Sequence, residues 1–185
     1  MKPVHLIVAT EVNNIIGHGL NMVWEMYDDL VLNFLAKTKG NPVIMGANTA
    51  LALGKPLKGR PCIAISTNRV SQLENLGFTV VPNLWEALAF AERCTGTITW
   101  IIGGGIIYSL GLQYLAIQEI HQTRIFGSYP CSDKSQEIKF CGFSHDQYRI
   151  DPSRTMEIKQ RAPKTNDDKD RGNSNDATVE VWVRA

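Results

Sequence analysis

Short apolar runs recur along the chain at Leu6 to Ala9, Pro42 to Met45, Ile63 to Ile65, Phe78 to Val81 and Ile98 to Ile102. Each has the length and β-branched content of a buried strand. The segments between them read as helices. Asp28 to Lys37 carries apolar residues at positions 30, 31, 32, 34 and 35. Asn83-Leu84-Trp85-Glu86 is an N-cap with a glutamate at the third helical position, and Leu84, Leu88 and Ala91 then form an apolar face. Strands alternating with helices predict right-handed crossovers and a mainly parallel sheet covered on both faces. The last third differs, because Ile120 to Ile125, Thr155 to Arg161 and Thr178 to Val183 alternate in polarity as strands with one wetter face do. Residues 163–176 offer no apolar side chain to bury and read as a mobile hairpin loop. No repeat or boundary interrupts the pattern, so one α/β domain over residues 1–185 is expected.

One stretch breaks the alternation in an informative way. Trp100-Ile101-Ile102-Gly103-Gly104-Gly105-Ile106-Ile107-Tyr108 is a strand, a bare backbone turn and a helix start. Without Cβ atoms the turn admits φ/ψ values closed to other residues and lets a ligand approach the main chain. The adjoining helix N-terminus offers unpaired N–H groups to an anion such as a pyrophosphate. A purely structural tight turn would look the same in isolation.

Composition narrows the classes. With 19 basic and 18 acidic side chains the formal net charge is +1, so no global field points to nucleic acid or an anionic membrane. Cys62, Cys94, Cys131 and Cys141 are widely spaced, without a C-x-x-C pair or a histidine at metal spacing, which argues against a disulfide framework or a zinc site. No metal is expected. His5, His18, His121 and His145 have no partner spacing that recommends a catalytic role. The run Val4 to Ala9 is too short for a signal-peptide core, and no apolar run approaches the roughly 18 residues of a membrane span. A reducing, cytoplasmic setting is the expectation.

Three further patterns occur in order: Ile15-Ile16-Gly17 followed by Trp24 and Asp29-Leu30; Pro42-Val43-Ile44-Met45-Gly46 with Thr49; and Ile101 to Tyr108. Together they resemble dihydrofolate reductase. Gly54 to Arg60 is similar to that family's segment before its third strand, and Thr123-Arg124-Ile125 to its sixth strand. The resemblance covers roughly residues 4 to 133. It implies a central eight-stranded, mostly parallel sheet with an antiparallel C-terminal hairpin. It also implies hydride transfer from NADPH to the pterin ring of dihydrofolate, with a small-molecule substrate, no nucleic-acid or membrane partner and a monomeric chain.

The resemblance also assigns residues. Asp29 is similar to the family's single pocket carboxylate, whose two oxygens accept a bidentate pair of hydrogen bonds from the pterin edge. Thr123 would orient that carboxylate, and Trp24 would anchor a water near the reaction centre. Arg60 resembles the arginine that grips the glutamate tail, a task suited to a planar bidentate donor. Ile7, Ala9, Leu30, Phe34, Leu57 and Ile102 would supply apolar substrate walls. On the cofactor side stand Ala9, Ile16, Gly17, Gly46, Thr49, Ser66, Thr67, Arg69, Ile102, Gly103, Gly104, Gly105 and Tyr108, with a cis peptide between the first two of the three glycines. Gly17 to Trp24 resembles the lid over the nicotinamide.

The chain also departs from the pattern. Ala47 and Pro82 stand where basic residues commonly meet the adenosine end of NADPH, and Arg69 is the candidate to compensate. The family spaces its carboxylate and pocket phenylalanine by four residues; here Asp29 and Phe34 are five apart. A π-bulge that absorbs the extra residue is the favoured resolution, with Asn33 or Leu32 otherwise taking the position and Asp28 a secondary candidate for the carboxylate. Val23 and Tyr27 replace prolines, so the lid loses fixed φ angles. Diaminopyrimidine antifolates are therefore expected to bind weakly, and a measured inhibition constant in the low-nanomolar range would contradict this. A riboflavin-pathway pyrimidine reductase and a non-catalytic pterin- or nucleotide-binding relative are the alternative readings.

Overall fold

The structure is a computed structural model and describes residues 1–164 and 171–185. In chain order its elements are β1 (Val4–Glu11), β2 (Ile15–His18), a π-helix (Asp29–Leu35) continued by α1 (Ala36–Thr38), β3 (Val43–Gly46), α2 (Ala47–Leu53), β4 (Cys62–Ile65), α3 (Val70–Asn75), β5 (Thr79–Val81), α4 (Leu84–Arg93), β6 (Thr99–Gly103), α5 (Gly105–Tyr114), β7 (Glu119–Ile125), β8 (Glu137–Lys139), β9 (Tyr148–Ile150), β10 (Met156–Ile158) and β11 (Ala177–Arg184). The main sheet has the order β10-β11-β7-β1-β6-β3-β4-β5, with β9 paired to β11. The eight-stranded path matches the expected fold class, and β9 adds a ninth strand.

The chain groups into two compact units, Met1–Ile7 with Thr38–Glu119, and Val8–Lys37 with Ile120–Ala185. Neither is continuous in sequence, so no single cut separates them, and the absence of a linker signal is understandable. In the first unit β3 pairs in parallel with both β4 and β6, and β4 with β5, as the βα alternation predicts. Val43, Ile44, Ile63 and Ile101 are wholly buried there. Helix α4 starts where the capping pattern places it, with the Asn83 side chain accepting from the Glu86 amide at 2.9 Å and donating to the Glu86 carboxylate at 3.2 Å. Its inward face is Leu84, Ala87 and Ala91, with Ala87 taking the fully buried place expected for Leu88.

In the second unit β11 pairs antiparallel with β10 and β9, and β2 pairs antiparallel with β8. The alternation of β11 is complete: Ala177, Val179 and Val181 are buried between half-buried Thr178, Glu180 and Trp182. The centre of the expected mobile loop, residues 165–170, lies outside the described residues. Its C-terminal flank is tied down, because Asn173 is 2% exposed and its amide donates to the Lys159 carbonyl at 2.9 Å. Among the described residues no helix is long and apolar enough to cross a membrane.

Candidate active site

The second unit holds Trp24, Asp29 and Thr123, together with Ala9, Ile16, Gly17, Leu30 and Phe34. Trp24 is buried with Met26, Ile125, Ile158, Ala177 and Val179, and its ring lies 5.7 Å from that of Tyr129. Its indole Nε1 is buried without a hydrogen-bond partner among the described residues. A buried N–H of this kind calls for an acceptor. The segment after Trp24 is stitched to the far end of the chain. Tyr27 donates its amide to the Gly172 carbonyl at 2.9 Å, and Ser174 donates its own to the Glu25 carbonyl at 2.7 Å. Asp28 closes the seam through Arg161 at 2.6 Å and the Asn173 amide at 2.8 Å. The Arg161 hydrogen bond holds the Asp28 carboxyl below the usual carboxylate range, with burial opposing it and the Asn173 hydrogen bond adding to the lowering.

Asp29, one residue on, has the opposite environment. It is buried, accepts from the Thr123 hydroxyl, and accepts from Asn33 Nδ2 at 2.9 Å on the same oxygen, Oδ1. Asn33 also donates to Thr123 Oγ1 at 3.4 Å. Burial raises the Asp29 carboxyl above its ordinary proton affinity, and the Thr123 and Asn33 hydrogen bonds draw it part of the way back. The helix that begins at Asp29 is a seven-residue π-helix. Its wider turn closes between four and five residues ahead, so Asn33 and Phe34 both return toward the Asp29 side. The expected π-distortion is therefore present, and Asn33 is the residue that it bonds to the carboxylate. Leu32, at 57% exposure, does not take that place. Phe34 and Ala9 are half-buried, and Leu30 is exposed. In the lid Ile16 is half-buried and Gly17 packed, its missing Cβ pointing 2.8 Å from the Asn21 carbonyl oxygen.

The first unit holds the glycine turn with Gly46, Thr49, Ser66, Thr67, Arg69 and Tyr108, and also Ile7, Leu57, Arg60 and Ile102 from the expected substrate side. Strand β6 ends in Gly103, which has φ +144° and is joined to Gly104 by a cis peptide. A Cβ on Gly103 would meet Thr49 Oγ1 at 3.0 Å, and one on Gly104 the same atom at 3.3 Å. Thr49 lies in the first turn of α2, directly after Gly46. Helix α5 begins at Gly105 with Gly104 as its N-cap and no side-chain cap, so its first amides are not taken by a capping side chain. Tyr108 is pinned by its hydroxyl donating to the Ile7 carbonyl at 2.8 Å, and Ile7 and Ile102 are both buried. Ser66 is buried and Thr67 exposed at the end of β4, and the Ser66 hydroxyl accepts from the Arg69 amide at 3.1 Å. The Arg69 guanidinium reaches Asn48 Oδ1 at 2.8 Å, against the first turn of α2 beside Ala47. Arg60 is half-buried, with Nε donating to Thr38 Oγ1 and Nη1 to the Lys58 carbonyl, each at 2.8 Å. Leu57 is half-buried, and its amide points at Cys62 Sγ, 3.2 Å away.

Residues 3–166 match the dihydrofolate reductase family. The chain belongs to this family. It is 39% identical over 109 residues to dihydrofolate reductase type 3 of Salmonella typhimurium (59% of this chain, 64% of the relative). It is 46% identical over 110 residues to the Haemophilus influenzae dihydrofolate reductase (60% and 63%) and 34% identical over 128 residues to the Mycobacterium tuberculosis one (68% and 74%). Two of these matches thus span just under two thirds of the relative's own length. The fold matches an Enterococcus faecalis dihydrofolate reductase solved with NADP(H) and RAB-propyl, at TM-score 0.75 and 22% identity, covering 98% of this chain and 96% of that one. Family membership disfavours the riboflavin-pathway reading.

Within a dihydrofolate reductase frame, Arg161 and Asn173 of the second unit were not assigned roles from sequence, and Asn33 was named only as an alternative to Phe34 for the pocket position. Asn33 carried a signal, the four-residue spacing from Asp29. Arg161 and Asn173 carried none, since their bonds to Asp28 span 133 and 145 residues.

Proposed function

We propose that this chain reduces 7,8-dihydrofolate to tetrahydrofolate with NADPH, and the observation that carries the reading is the buried Asp29 carboxyl held by Thr123 and Asn33. NADPH, when bound, supplies the hydride. The residues present fit such a cofactor: the Gly103–Gly104 turn is a cradle that side chains would fill, and the α5 N-terminus adjoins it without a side-chain cap. Thr49, Ser66 and Thr67 are the hydroxyl donors proposed for its phosphates, with Gly46, Gly105 and Tyr108 lining its path. Arg69 replaces the missing base at Ala47. Arg69→Ala is expected to raise the KM for NADPH about tenfold, the loss of one charge-assisted contact, and to leave the KM for NADH nearly unchanged. Equal effects on both cofactors would remove Arg69 from the 2′-phosphate.

Asp29 does the work on the pterin. Its carboxylate accepts hydrogen bonds from the donor edge of the ring, and its raised proton affinity lets the carboxyl hold a proton that can pass toward the ring on which reduction depends. Thr123 and Asn33 hold the carboxyl in one orientation, and the Trp24 N–H offers an anchor for a water. Arg60, set by Thr38 and Lys58, is the proposed partner of a substrate carboxylate. Leu30, Phe34, Leu57 and Ile102 are proposed as apolar walls. A cytoplasmic monomer is part of the same proposal. Loss of reduced-nicotinamide absorbance on adding dihydrofolate tests the reading, and no turnover by the purified protein would overturn it.

A further inference from the structure

Asn33 is 2% exposed, in the interior of the π-helix, where a polar amide needs a reason. The reason is visible in its bonds. Nδ2 donates to Asp29 Oδ1 at 2.9 Å and lies 3.4 Å from Thr123 Oγ1, while the Thr123 hydroxyl donates to the same Oδ1. The amide orientation follows from this contact, since only the NH₂ side can face a carboxylate or a donating hydroxyl's oxygen. Both donors converge on one oxygen, and Asp29 Oδ2 accepts no hydrogen bond among the described residues. In a regular α-helix the residue four ahead would also share this face. The π-turn brings the residue five ahead back as well, so the insertion adds an amide beside the carboxyl without carrying Phe34 to the far side of the helix.

We propose that Asn33 is a positioning residue for Asp29, its amide fixing the carboxyl through Oδ1 together with the Thr123 hydroxyl so that Oδ2 is left to meet the substrate. The proposal rests on the reading of Asp29 given above. A donor to the ionised form stabilises that form, so Asn33 lowers the proton affinity that burial raises, and tunes the carboxyl as well as aiming it. The influences on Asp29 are burial and these two hydrogen bonds. Several other charges among the described residues of this unit are engaged elsewhere. Asp28 is paired with Arg161, Glu11 accepts from the Asn13 and Ile15 amides, and Arg124 lies near Glu180. His121 stands two positions before Thr123 on the same side of β7.

Two variants test this, Asn33→Leu, which keeps most of the volume, and Asn33→Ser, which is too short to reach. The hydride-transfer rate falls as pH rises through the Asp29 titration, because the reduction needs a proton. Removing the amide donor raises the folded-state pKa, so in both variants the alkaline limb moves to higher pH, by about one unit for the loss of one hydrogen bond to a charged group. Carboxyl NMR of isotope-labelled aspartate, with Asp29 assigned from Asp29→Asn, reads the same shift without turnover. A rate lowered at every pH with the limb and the Asp29 titration unmoved would overturn the proposal. Were the wild type inactive with dihydrofolate while the Asp29 titration still moved, the proposed function would fail and the coupling of Asn33 to Asp29 would stand.

Discussion

Asp29→Asn slows dihydrofolate reduction by about 10²–10⁴-fold near neutral pH, the range for loss of a positioned acid/base group, while the melting temperature stays level or rises. The two halves of this expectation come from one cause. The folded-state pKa of Asp29 is raised, so the fold favours the protonated form. The stabilisation attached to that form is complete below the unfolded pKa and is lost as pH rises through the folded one. Above the unfolded pKa a carboxyl with a raised folded-state pKa therefore costs stability, and a neutral amide does not. Asparagine also satisfies the local partners, since its carbonyl accepts from Thr123 and Asn33 as Oδ1 does. Stopped-flow kinetics beside a thermal melt checks both halves. Unchanged activity would remove Asp29 from the chemistry, and a large fall in melting temperature would show that the charge supports the fold.

Gly103→Ala is expected to raise the KM for NADPH at least tenfold and to cost roughly 1–3 kcal/mol of stability, the usual range for a side chain forced into a sparsely populated backbone region. At φ +144° an L side chain is strained whatever the space, and the added Cβ would also press on Thr49 Oγ1 at 3.0 Å and approach the Tyr108 hydroxyl at 3.6 Å. Moving Tyr108 loosens its hold on the Ile7 carbonyl. Gly104→Ala is the milder companion, with φ −89° and only the Thr49 hydroxyl to displace. A cofactor KM unchanged in Gly103→Ala would mean that the turn serves packing alone.

The strands of the first unit were legible because each is a short β-branched run between helices, and the Asn83–Glu86 cap sits where the pattern places it. Asp29 and Thr123 were legible only through resemblance, since nothing local tells a pocket carboxylate from an acid that complements a helix dipole. Their pairing appears once β7 and the π-helix pack. The strands β2, β8 and β9 were missed: none stands within a longer apolar run or a sustained alternating stretch. Asp28 shows the limit most clearly. Two adjacent aspartates have nearly the same local sequence, and what separates them is Arg161, 133 positions away, against one and burial against the other.

The seam that ties Glu25, Tyr27 and Asp28 to Arg161 and to Gly172, Asn173 and Ser174 carries a consequence for how the protein is made. During synthesis the residues that flank the lid leave the ribosome well over a hundred positions before those that clamp them. Closing so long a loop is slow and draws on contacts made elsewhere first. The strands of the first unit have their partners available earlier, apart from the stretch around β6, and domains begin to fold as their chain emerges. The segment around Asp29 thus waits for residues that are made late, long after most strands of the first unit.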